Sequence, residues 1–172
     1  MRIFIIGLVL VASVLLETTM VSRMAIFGIA PDLMLCVIVS YSILRGETEG
    51  ACAGFAGGLL MDIAIGQAMG LFAMLGLLAG YFAGKPFRDF YRESYMLPMF
   101  ITGIAAFAQG FALYLFNVLT IAHIGMFAHI LAVILPVTFY TMIISVFVYR
   151  SLYAVNSLVE LYERRSHKIF NK

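Results

Sequence analysis

Charge is scarce in this sequence. Asp, Glu, Lys and Arg make up 12% of the 172 residues, while 63% are hydrophobic. A soluble domain carries roughly twice that charged fraction. No water-soluble core hides so much apolar surface. Lipid is therefore the main solvent, and one membrane-embedded domain is expected. There is no large soluble domain in which to house catalysis. Cysteine is scarce too. Cys36 and Cys52 both lie in apolar runs, and the topology below sends them to opposite leaflets. They read as small buried hydrophobes, with no disulfide and no metal site.

Catalytic motifs are missing as well. The chain has no His-Glu-x-x-His, and Asp62 lacks the Gly-x-Gly-Asp setting of an intramembrane aspartyl protease. Ser13, Ser40, Ser42 and Ser145 sit in apolar stretches without a paired histidine pattern. His123 and His129 read as interfacial residues rather than metal ligands. The glycine-rich segments have no following Lys-Ser or Lys-Thr, which excludes a phosphate loop. No enzyme activity, cofactor or metal is expected. The stretch from Met1 to Leu16 lacks a small-x-small cleavage site before Glu17-Thr18-Thr19, so it reads as an uncleaved first helix.

What the chain does have is a series of apolar runs near the length of about 20 residues that a spanning helix needs. Candidate spans are 3–22, 31–44, 50–65, 69–84, 97–120 and 127–149. The runs from Gly50 to Gly84 and from Leu97 to Tyr149 each need two crossings, at a rise of about 1.5 Å per residue. They are continuously apolar, without the alternation of a membrane β-barrel. The expected fold is an all-α integral membrane protein. A six-helix transmembrane domain covers 1–149, and a cytoplasmic, basic amphipathic tail covers 150–172. In that tail Leu152, Val155, Leu158, Val159 and Tyr162 recur at helical spacing, suited to lying on anionic lipid. Pro31 and Pro98 fall in first turns, while Pro136 should kink the sixth helix.

Basic residues set the expected orientation. With the N-terminus inside, the inner segments hold Arg2, Arg45, Lys85, Arg88, Arg92, Arg150, Arg164, Arg165, Lys168 and Lys172, against Arg23 alone outside. That bias puts both termini in the cytoplasm. Tyr81, Tyr91, Tyr95, Tyr149 and Tyr153 then form an inner aromatic belt.

Glu17, Asp32 and Asp62 are acids within or at the edge of apolar runs, where ionisable groups are functional candidates. All three map to the outer third of the bilayer, level with Arg23; Gln109 maps to its middle. Two readings stand: an outward-opening pocket for a ligand or partner segment, and a structural polar cluster. Asp32, directly after Pro31, suits a helix N-terminus. Gly50, Gly54 and Gly58 recur every four residues, as do Gly76, Gly80 and Gly84. Such spacing lets helix backbones approach closely, here as a hairpin around Gly66-Gln67.

The central segment carries a resemblance. Ala30-Pro31-Asp32-Leu33 opens a span that ends Tyr41-Ser42-Ile43-Leu44-Arg45. Gly54-Phe55-Ala56-Gly57-Gly58-Leu59-Leu60-Met61-Asp62 follows, then Met69-Gly70-Leu71. This order resembles the MreD family of rod shape-determining membrane proteins over about residues 29–84. Gly54, Gly58, Asp62 and Gly70 fall on its pattern. The resemblance implies a six-helix fold like the S-components of energy-coupling vitamin transporters. It implies a non-catalytic scaffold in the bacterial cytoplasmic membrane that binds MreC. MreB, a RodA-type glycosyltransferase and its penicillin-binding transpeptidase would share the complex guiding lateral peptidoglycan synthesis. The alternative is an S-component-like small-molecule transport subunit. S-components meet their coupling subunit through an Ala-x-x-x-Ala pattern in the first helix, and this first helix has Ala12 and Ser13 without that repeat.

Overall fold

The computed structural model describes the backbone of residues 2–21, 30–65, 70–85, 96–120 and 130–170. Side chains are described for 5–19, 30–65, 70–85, 96–118 and 130–156. The described residues form six α-helices: α1 (Arg2–Val21), α2 (Leu33–Arg45), α3 (Glu47–Ile65), α4 (Leu71–Gly84), α5 (Met96–Thr120) and α6 (Leu135–Phe170). One π-helical turn, Ile130–Ile134, leads into α6.

The long apolar runs set these elements, because a backbone in lipid must satisfy its own hydrogen bonds. By length and composition, Glu47–Ile65, Met96–Val118 and Ile130–Asn156 are long and apolar enough to cross a membrane. Ile5–Thr19, Leu33–Arg45 and Leu71–Gly84 are shorter apolar helices. The chain is a multi-pass membrane protein, with three helices of spanning length and three shorter apolar helices among the described residues.

α2 is the axis of the bundle. It touches all five other helices. Its residues Met34 to Ser40 are buried without interruption. A helix apolar all round belongs in a core. Its 13 residues span about 20 Å, less than the hydrocarbon thickness of about 30 Å. Around it the molecule is inverted relative to a soluble protein. Ile104, Phe147 and Ile63 are 71%, 70% and 68% exposed, while Ser40, Ser42, Thr102, Thr141 and Ser145 are fully buried. Apolar residues exposed on this scale need lipid against them. Several buried hydroxyls bond to carbonyls of their own helix, as Ser42 does to Ile38 O at 2.7 Å and Thr102 to Pro98 O at 2.6 Å.

Two boundaries differ from the sequence expectation for physical reasons. α3 starts at Glu47, three residues before Gly50, because Gly46 takes a positive φ of 99° and reverses the chain in one residue. Glu47 and Glu49 then lie in the first turn, where the helix dipole favours anions. The sequence expectation is a kink at Pro136 and an amphipathic helical tail from 150. The irregularity lies in the π turn just before Leu135-Pro136, where in a regular α-helical turn the proline ring would clash with the carbonyl of Ala132. From Leu135 one helix runs through position 150 to Phe170. No Gly or Pro interrupts it after Pro136.

Candidate functional site

Asp32 caps α2. Pro31 holds the chain extended before it, and Asp32 sits at φ −84°, ψ 90°. Its Oδ1 accepts from Leu35 N at 2.7 Å. Glu17, reaching from α1, accepts from Met34 N at 3.0 Å through Oε2. Two acids from different segments thus satisfy neighbouring N–H groups at one helix N-terminus. Gln109 of α5 donates Nε2 to Asp32 Oδ2 at 2.5 Å. The Asp32 N–H donates to Thr141 Oγ1 of α6 at 3.2 Å, and that hydroxyl donates to Val137 O at 2.7 Å. Cys36 Sγ–H donates to Thr141 O at 3.5 Å. One polar knot therefore ties α1, α2, α5 and α6.

The knot is deep. Gln109 and Thr141 are mid-helix residues of the two long apolar helices, and Asp32 is level with both. The sequence expectation placed Asp32 in the outer third and Gln109 apart from it. The hydrogen bond between them puts the two side by side, because α2 is short and its N-terminus starts between the longer helices. Asp32 and Gln109 line a cleft of about 240 Å³ with Gly58, Met61 and Phe72.

Asp62 takes a different place. It is 3% exposed on α3 and caps α4 across the hairpin. Its Oδ2 accepts from Gly70 N and Ala73 N, and its Oδ1 from Phe72 N, each at 3.0 Å. The cap residue of α4 is Gly70 at φ 97°, which has no side chain to do this. Gly70 does not share the close packing of the glycines in α3 and α4, since a Cβ there meets nothing within 4 Å. Its requirement is the left-handed backbone.

The other glycines bring α3 and α4 together, the most extensive helix contact in the molecule. A Cβ on Gly54 would overlap the Gly76 carbonyl, one on Gly58 the Phe72 carbonyl, and one on Gly80 the Gly50 carbonyl. Gly84 packs on Gly46 and Glu47 with no room for a methyl group. The two backbones meet directly along their length, as small-residue stripes allow.

The structure thus joins Glu17 to Asp32 and gives Asp62 a separate partner set. Arg23, Gly66-Gln67, His123 and His129 lie outside the described residues. Among the described residues no cation pairs with the three acids, whose hydrogen-bond donors are peptide N–H groups and the Gln109 amide. Cys36 and Cys52 are free thiols, Cys36 buried and Cys52 exposed. Sequence reasoning missed Thr141. The only signal was a hydroxyl in an otherwise apolar run, which does not reveal its partner.

A family model described as rod shape-determining protein MreD matches residues 1–161. No curated protein and no solved structure gives a significant match. The matched segment holds every element just described: the Pro31-Asp32 cap, the α3–α4 glycine stripe and the Asp62–Gly70 lock. The chain belongs to the MreD family, non-catalytic membrane proteins that determine rod cell shape.

Proposed function

We propose that the chain is a scaffold subunit of the elongation complex, that it binds MreC, and that it helps position lateral peptidoglycan synthesis. The observation that carries this reading is the family match over residues 1–161. MreB and a RodA-type glycosyltransferase with its penicillin-binding transpeptidase belong to the same assembly in this reading. Both termini face the cytoplasm, and the basic end of the 150–172 segment adds attraction to the inner leaflet. The fold is of the S-component kind, adapted to hold a protein rather than a vitamin.

The polar residues support a scaffold in a specific way. Asp62 spends all its described hydrogen bonds on α4, and Glu17 and Asp32 spend theirs on α2 and Gln109. They fix the relative positions of the helices, and MreC reads the outer surface so held. The test is co-purification. The tagged full chain, extracted from membranes in mild detergent, should carry MreC in constant ratio. Recovery of the synthases without MreC would refute MreC binding. A retained small molecule in native mass spectra would instead favour the transport reading, with the cleft beside Asp32 as its place.

A further inference from the structure

We infer that the groove between α1, α2 and α6 beside Arg45 is a binding site for one anionic phospholipid. The phosphate would sit at Arg45 and an acyl chain along the groove. This inference is independent of MreC binding. The groove, of about 410 Å³, lies at the end of the bundle where α1 begins and α2 ends. Ile6 and Val9 of α1, Leu44 of α2, and Leu152 and Val155 of α6 form its apolar walls.

Arg45, the last residue of α2, stands among these walls. Its Nε is buried without a hydrogen-bond partner, and its guanidinium has no hydrogen bond or ion pair among the described residues. Arginine keeps its charge in any such setting and carries five donors. An unmet charged donor next to hydrocarbon is costly, so the structure leaves a place for an anion.

Among the described residues no acceptor is bonded to Arg45 Nε, and two neighbours in sequence already have donors of their own. Glu49, four residues on, accepts from Tyr41 Oη at 3.0 Å. The Ser42 carbonyl at the end of α2 accepts from Gly46 N at 2.7 Å. An anion from outside the chain would meet this need. It must be anionic at one end and apolar along the rest. A phospholipid of the surrounding bilayer meets both demands at once, and a free phosphate meets only the first. Position adds to the case: Arg2, Lys85 and Arg150 belong to the same end of the bundle by their places on α1, after α4 and on α6. Basic pockets between helices at such an end attract anionic headgroups.

The test is thermal unfolding of the full chain in detergent with added phosphatidylglycerol, phosphatidylcholine or inorganic phosphate. Phosphatidylglycerol should raise the unfolding temperature, while the other two should not. In Arg45→Met the phosphatidylglycerol concentration for half the shift should rise about five- to tenfold, the effect of one lost basic contact. Val155→Trp keeps the arginine but fills the groove, and should weaken the same response. Equal stabilisation by phosphatidylcholine would overturn the inference, as would an unchanged response in either variant. Stabilisation by inorganic phosphate would reduce the site to a simple anion contact. A wild-type chain indifferent to phosphatidylglycerol would leave the groove to a partner helix.

Discussion

Asp62 accepts three backbone N–H groups while almost fully buried. Replacing it by alanine strands those donors in a low-dielectric setting, and each costs about 1–3 kcal/mol when left unmet. Asp62→Ala should therefore lower the unfolding temperature sharply. Asp62→Asn keeps one acceptor oxygen and should lose about 1–2 kcal/mol. Thermal unfolding in detergent ranks the two, and an alanine variant as stable as wild type would remove Asp62 from the architecture. At this scale the sequence was half legible. The spacing of Gly54, Gly58 and Asp62 on one helix face can be read directly, since four residues make roughly one turn. The bond between Gln109 and Asp32 joins positions 77 apart. Hydropathy gives depth along a helix, but neither its rotation nor its neighbour. It also takes the helices to begin at one level, whereas the N-terminus of α2 lies beside mid-helix residues of α5 and α6.

The α3–α4 hairpin depends on contact between backbones. Gly54→Val would force a side chain into the Gly76 carbonyl, with no flexible atom to move aside. The helices would have to separate, so Gly54→Val should abolish stable expression or shift the protein to aggregates in size-exclusion chromatography. Gly7 of α1 gives the contrast. A Cβ there meets nothing within 4 Å. Gly7→Ala should be neutral or stabilise by about 0.5–1 kcal/mol, the usual gain of alanine over glycine in a helix. If both variants behaved alike, close packing would not be the glycines' role. Element positions were legible because each apolar run is continuous and bounded by charge or glycine. The ends of α3 and the course of α6 were less so. The start of α3 depends on the conformation of Gly46. The continuation of α6 depends on the absence of any breaker, which a change in composition at 150 concealed.

At the scale of the whole molecule, the helix order fixes which termini share an end. The N-terminus of α1, the α2–α3 turn at Gly46 and the C-terminus of α4 lie together. The C-terminus of α3 and the N-terminus of α4 lie at the opposite end. Among the described residues, Arg2, Arg45, Lys85 and Arg150 all belong to the first end. Retention of Lys and Arg on the cytoplasmic side would put that end inside and the opposite end outside. The prediction uses single cysteines in a Cys52→Ser background, with the remaining native thiol, Cys36, buried. Thr48→Cys, at an exposed site just after the Gly46 turn, should react with a membrane-impermeant maleimide only after permeabilisation. A cysteine at Gln67, between α3 and α4, should react in intact spheroplasts. The opposite pattern would invert the molecule and place the Arg45 groove in the outer leaflet. The polar knot at Asp32 would stand unchanged in either orientation, because its hydrogen bonds lie within the chain.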